Sequence, residues 1–306
     1  MIYGAMATYP ARFDNLGKVI DSILPQLDML YVYINESDFI PECLLHDKIT
    51  PLLGKDHEGD LSATGKVYPL SYIKDGYCFT LDDDFVFPAD YISRMKHAID
   101  RFDKKAIMTV HGSIFAPNAD WYYERSIVYE VKQALDTYRF VNLPGSATLA
   151  FHTSTLDIQY SDFPKTPMVD LQFAIQALEQ QVPILAIPRE ESWLSFLNYS
   201  GLWETNKNEM THHTSAMLKH GPWSFDRCRA FYRTFANSLS PDLLTQLDTE
   251  VLKCLDHGFP RSWGDTKIAR ITKARHRELI QTLNDTHKIS RFVKRNLRAL
   301  KNKTRK

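Results

Sequence analysis

Short apolar runs, each closed by a polar turn and followed by a stretch with helical spacing, recur through the first two thirds of the chain, and this alternation limits the folds open to it. Ile2–Thr8 (IYGAMAT) reads as a buried strand that stops at Tyr9-Pro10, and Phe13, Leu16, Val19, Ile20, Ile23 and Leu24 then recur on one helical face. LYVYI (30–34) is a second strand, closed by Asn35-Glu36-Ser37. Residues 36–65 are polar and punctuated by Gly and Pro, which predicts a long loop region holding at most a short helix. YCFTL (77–81) is a third strand. Downstream of it Pro88 suits the first turn of a helix whose inner stripe is Ile92, Met95, Ile99 and Phe102. AIMTV (106–110), ATLAF (147–151) and PILAIP (183–188) are further strands. Between the last two, a helix starting near Thr166-Pro167 carries Leu171, Ala174, Ile175 and Leu178 on one face. Strands alternating with helices of this length predict an α/β fold, a mostly parallel sheet covered by helices on both sides.

Beyond residue 215 the pattern turns helical with no convincing strand, so the sequence divides into 1–215 and a helical C-terminal region, 216–306. With 306 residues, 44% of them hydrophobic, the chain can bury a large core without disulfide or metal staples. Cys43, Cys78, Cys228 and Cys254 form no CxxC pair, which argues against a zinc site or disulfide framework and suits a reducing compartment. No leader-like pattern opens the sequence and no apolar run approaches about 20 residues. The chain is therefore expected in the cytoplasm, free or peripheral on the inner face of the cell membrane. Formal net charge is zero, yet Lys288–Lys306 holds nine basic residues and no acidic one. There Ile289, Phe292, Val293, Leu297 and Leu300 share a helical face, a basic amphipathic pattern that suits an anionic membrane surface or, equally, docking on a partner. Positive charge confined to one terminus speaks against nucleic-acid binding.

In open α/β sheets ligands bind outside the carboxyl ends of the strands, so the polar residues following each strand are the first candidates for chemistry. These are Thr8 through Arg12, Asn35, and the run Asp82-Asp83-Asp84. Three adjacent carboxylates repel one another unless a cation sits among them, and an all-oxygen set suits Mg²⁺ or Mn²⁺ shared with phosphate oxygens. A solvated acidic turn ahead of a helix is the plainer alternative. The apolar strand before the run and the amphipathic helix after it favour the metal.

The stretches ATYPAR (7–12), YVYINE (31–36), GDLSATGK (59–66), FTLDDDFVFPADYI (79–92), GSATLAFHTSTL (145–156) and MVDLQFAIQALEQQVPILAIPRE (168–190) resemble bacterial family-2-like glycosyltransferases of cell-surface polysaccharides. The resemblance covers residues 1–195 and implies a GT-A fold. It implies that Thr8 and Arg12 line the nucleotide pocket, with Asn35 near the base or ribose and Asp60 and Lys66 at the nucleobase and diphosphate. Lys66 would offset charge on the departing diphosphate. Asp82 would face the ribose and share the metal with Asp84, the best direct ligand, while Asp83 bridges or is structural. Asp170 would be the base that deprotonates the acceptor hydroxyl, although a carboxylate in a helix's first turn also suits the helix dipole alone. The family often has Glu-Asp here, whereas this chain has Val169-Asp170. Gly145 would let backbone approach the sugar. A C-terminal histidine, His213 or its neighbour His212, would complete the metal site. Trp193 and Trp203 offer stacking surfaces, and His152 reads as a packed histidine.

What the resemblance implies is a metal-dependent hexosyl- or N-acetylhexosaminyltransferase with Mn²⁺ or Mg²⁺. It would move a sugar from a nucleotide-diphosphate donor, UDP-linked, to a glycan or lipid-linked glycan acceptor, with inversion favoured over retention. Two alternatives stay open. One is a non-catalytic GT-A-like module that binds or scaffolds glycan. The other is a sugar-phosphate nucleotidyltransferase, disfavoured because no glycine-rich loop follows the first strand.

Overall fold

A computed structural model of the protein describes residues 1–115, 119, 122, 124–163, 168–197, 217, 219 and 225–248. Its centre is an eight-stranded sheet. In chain order the strands are β1 (Ile2–Thr8), β2 (Met29–Ile34), β3 (Ile49–Leu53), β4 (Tyr77–Asp82), β6 (Ile107–Thr109), β9 (Arg139–Val141), β11 (Thr148–His152) and β12 (Ile184–Ala186). Across the sheet they lie in the order β3-β2-β1-β4-β11-β6-β12-β9. β11 and β9 run against the rest, so the other six end on a common edge. The α/β class and the mostly parallel sheet are as expected from the sequence.

The period of two along each strand sends side chains to opposite faces, and both faces are buried. Met6, Phe79, Leu81, Met108, Ala150 and Leu185 enter one apolar core. Their chain neighbours Ala5, Cys78, Ile107, Leu149, Phe151 and Ile184 enter a second. Helix α1 (Phe13–Ile23) buries Leu16, Val19, Ile20 and Ile23, and α2 (Tyr91–Arg101) buries Ile92, Met95 and Ile99. Both stripes were legible in the sequence, and both enter the first core. Helix α3 (Val169–Glu179) differs from its one-faced reading. Leu171, Ala174, Ile175 and Leu178 join the first core, while Val169, Phe173 and Ala177 join the second, so α3 lies where the two meet.

Three local expectations are corrected. The 36–65 segment holds a strand, β3, as well as loop and 3-10 turns. Pro51 interrupts its apolar run, and it is tolerated because β3 is an edge strand. Pro88 lies before the N-cap Asp90 rather than inside α2, and its carbonyl accepts the Tyr91 N–H at 3.0 Å. Between β6 and β11 the chain forms an unforeseen antiparallel sheet, β10-β7-β8, from β7 (Gly112–Phe115), β8 (Arg125–Tyr129) and β10 (Leu143–Pro144). The short strands β5 (Phe85–Val86) and β13 (Ser195–Phe196) pair beside α1.

Past residue 215, α4 (Phe225–Asn237) and α5 (Pro241–Thr245) are described, and α4 sends Tyr232, Phe235 and Ala236 into the first core. The Tyr232 hydroxyl donates to the Val141 carbonyl at 2.6 Å, and its ring stacks on Phe140. His212, His213, Trp203, Cys254 and the basic tail lie outside the described residues. Among the described residues no helix is long and apolar enough to cross a membrane.

Candidate active site

The carboxyl edge of the six co-directional strands gathers the candidate residues. Register alone sets Ala7 of β1 opposite Asp82 of β4, so Thr8 emerges beside the acidic run. The three aspartates have different fates. Asp82 is ion-paired with Lys66, whose side chain is 3% exposed. Asp84 meets Arg12 at 3.4 Å, and Asp83 lies 3.9 Å from the same guanidinium. Asp83 is itself buried, and burial pushes its carboxyl up to about 7, with Asp82 and Asp84 adding to the rise and Thr8 and Arg12 opposing it. Asp84 is also raised, by burial first and Asp82 next. Asp83 is therefore turned into the protein, while the Asp82 and Asp84 side chains are about one third exposed.

Lys66 reaches this position through a short 3-10 helix, Ser62–Lys66. Its Gly65 lies on the Tyr33 ring, where a Cβ would stand 2.6 Å from Cδ1. Only glycine lets the helix sit close enough for the next side chain to enter under the crevice. Asn35 clamps the same segment. Its Oδ1 accepts the Leu61 N–H at 2.9 Å, and its Nδ2 donates to the Ser62 carbonyl at 3.0 Å and the Thr8 carbonyl at 3.3 Å. Buried and engaged on both amide atoms, Asn35 ties this segment to the end of β1. Asp60 is exposed and closes a turn by accepting the Ser62 N–H at 2.9 Å.

On the other side of Asp82, the turn 145–148 leading into β11 joins three elements. Thr80 on β4 donates through its hydroxyl to the Ser146 carbonyl, and Asp170 in the first turn of α3 accepts the Ser146 N–H at 2.8 Å. The Gly145 N–H donates to the His111 carbonyl at 2.9 Å. The His111 ring lies over Gly145, where a Cβ would fall 1.9 Å from Nε2. The space above Gly145 is thus filled by imidazole. The resemblance attaches no role to His111, although strand 106–110 ends on it and the rule that singles out residues after strands applies to it equally. Arg189, after β12, is a second such residue. It is buried, with donor bonds to the Glu130, Val131 and Ile187 carbonyls, and burial lowers its pKa to about 10.

Two sequence candidates are drawn elsewhere. His152 is buried at the opposite end of β11, with its ring edge-on to Tyr77 and Nδ1 2.8 Å from the Ser154 hydroxyl, a packed histidine as read. Trp193 stacks on Tyr91 and donates to Asp90 at 3.0 Å, so it holds the start of α2.

Among the described residues no group of three or more His, Cys, Asp or Glu side chains is arranged to hold a metal ion. Asp82 and Asp84 nonetheless fit a hard divalent cation of the kind that takes one or two carboxylates and fills its shell with water and phosphate oxygens. Such an ion is held jointly by protein and ligand.

The fold and this edge define an α/β protein whose parallel strands end on an edge where Asp82, Asp83 and Asp84 meet Lys66 and Arg12. No protein-family model and no curated protein matches the chain. Among solved structures it is similar to the crystal structure of S. aureus TarS 1–349, at 12% identity and a TM-score of 0.40, over 91% of this chain and 92% of that one.

Proposed function

We propose that the protein is a metal-dependent glycosyltransferase that takes a sugar from a nucleotide-diphosphate donor, UDP-linked, and passes it to a glycan hydroxyl with inversion. One observation carries this: Asp82 and Asp84, the buried Lys66, and Asp170 fixed by the Ser146 N–H all converge on one strand edge. In the reaction, the acceptor oxygen bonds to the anomeric carbon while the bond from that carbon to the diphosphate oxygen breaks. The electron pair leaves with the nucleoside diphosphate, and the acceptor proton passes to Asp170. One Asp170 oxygen is anchored by the Ser146 N–H, which orients the other for that proton. Lys66 stabilises the leaving diphosphate. Asp82 and Asp84 would hold Mn²⁺ or Mg²⁺, which supplies further charge compensation to the phosphates when bound. Glycan or lipid-linked glycan is the acceptor class, and the basic tail is proposed to reach an anionic membrane surface.

The test is thermal stability with UDP, with and without Mn²⁺, for wild type and Asp84→Ala. Selective binding to the folded state raises the melting temperature by mass action. Metal-dependent stabilisation that disappears in Asp84→Ala is the expected result. No shift with UDP in either condition removes the proposal as stated.

A further inference from the structure

We propose that His111 contacts the transferred sugar, its Nε2–H donating a hydrogen bond to a sugar hydroxyl and so helping to select the donor; this rests on the glycosyltransferase reading above. His111 follows β6 on the same strand edge as the acidic run. Its Nδ1 lies 3.0 Å from the Thr148 hydroxyl. That hydroxyl oxygen already accepts the Val110 N–H at 3.2 Å. The Thr109 hydroxyl donates to the His111 carbonyl at 2.8 Å and is 3.4 Å from that of Thr148. We assign the Thr148 hydrogen to Nδ1, the nearer of its two acceptors at 3.0 Å against 3.4 Å for the Thr109 hydroxyl, which places the ring proton on Nε2.

Nε2 has no hydrogen-bond partner among the described residues, and the ring is half-buried. Burial, with Arg189 and Lys66, holds the imidazole pKa below its usual value, while Asp170 and Asp82 oppose that shift. The group is thus a neutral donor under the influence of both carboxylates. On the functional reading one of these faces the donor's ribose and metal and the other takes the acceptor proton. The sugar must lie between them. A neutral N–H suits a sugar hydroxyl, which offers an uncharged acceptor, and a site built around such a bond disfavours a sugar lacking it. Gly145 is what allows the ring to occupy this place, since any side chain there would overlap Nε2.

The experiment is isothermal titration, with MnCl2, of the full chain and the variants His111→Ala, His111→Asn and His111→Gln. The ligands are UDP, UDP-glucose, UDP-galactose, UDP-N-acetylglucosamine and UDP-N-acetylgalactosamine. UDP affinity is expected to stay within about twofold throughout. Wild type should favour one sugar, and that preference should fall about five- to tenfold in the Ala and Asn variants, the range of one net hydrogen bond. Gln should restore it, because its amide nitrogen reaches the place of Nε2 whereas the Asn nitrogen reaches only that of Nδ1. If Gln performs no better than Asn, or wild type binds every UDP-sugar as it binds UDP, the assignment of His111 is overturned while the nucleotide site stands. Absence of UDP binding by wild type overturns the glycosyltransferase reading, and the assignment with it.

Discussion

Replacing Gly145 by alanine tests how tightly the turn at the start of β11 is built around His111. The added Cβ would stand 1.9, 2.2 and 2.4 Å from Nε2, Cε1 and Cδ2 of the ring, against about 3.5 Å for ordinary contact. Gly145 is not among the glycines with positive φ, so alanine adds no backbone strain and the cost arises from the side chain alone. The ring must withdraw by roughly 1.5 Å, which breaks its 3.0 Å contact with Thr148. Overpacking of this kind costs about 1–3 kcal/mol, and the lost hydrogen bond adds about 1 kcal/mol. Removing the obstacle removes the penalty, so Gly145→Ala on a His111→Ala background should be close to neutral. The two substitutions should therefore couple by about 2–4 kcal/mol. Urea unfolding of wild type, both single variants and the double variant, followed by tryptophan fluorescence, measures this directly. Additivity within about 0.5 kcal/mol would refute the packing described here.

Lys66→Met should destabilise the fold by about 1–3 kcal/mol, less than for a fully buried pair because Asp82 is partly exposed. Adding Asp82→Asn should recover much of the loss in the same unfolding assay, and failure to recover would count against the pair. Asn35→Ala leaves the Leu61 N–H without its partner and removes the side-chain donor from the Ser62 carbonyl, while the Thr8 carbonyl keeps the backbone N–H of residue 35. It should lower stability by about 2–4 kcal/mol, and an effect below about 0.5 kcal/mol would mean that Asn35 is no clamp. Asp170→Asn keeps a carbonyl for the Ser146 N–H, so folding and UDP affinity should persist while turnover of a competent donor and acceptor falls about a hundredfold or more. Unchanged turnover would remove Asp170 from the role of base.

Strands β1, β2, β4, β6, β11 and β12 were legible because they are short apolar runs with turn residues at their ends, and helices α1 and α2 because each buries a single stripe. The edge strands β3 and β9 were hidden, β3 because Pro51 and half-exposed neighbours break the pattern of a buried strand, and β9 because it is only three residues long. The sheet β10-β7-β8 was hidden for another reason: its strands are two to five residues long and are fixed by pairing across the chain, with little local periodicity to betray them. At the site, sequence position after a strand located Thr8, Asn35 and Asp82–Asp84 correctly on one edge. It could not show that Asn35 spends its polar atoms on neighbouring backbone, that Asp83 turns inward, or that Gly145 accommodates imidazole. Those outcomes depend on contacts between residues more than 20 positions apart.

Charge balance at this edge bears on the metal requirement. Lys66 and Arg12 are already committed to the aspartates, and Asp83 with a pKa near 7 carries a charge that depends on its surroundings. On the proposed reading, a diphosphate binding at this edge would add negative charge to a cluster whose Lys66 and Arg12 are in use. If Lys66 turned toward the diphosphate unaided, Asp82 would lose its counter-ion beside Asp84, and the gain at the phosphate would be offset by repulsion within the run. Asp82 and Asp84 would hold a divalent cation whose charge would offset that conflict and leave Lys66 for the leaving group. On the proposed reading, metal and lysine are therefore complementary: Lys66→Met should weaken UDP binding with Mn²⁺ present far more than without it, because only in the metal-loaded site is the lysine free to act on the diphosphate.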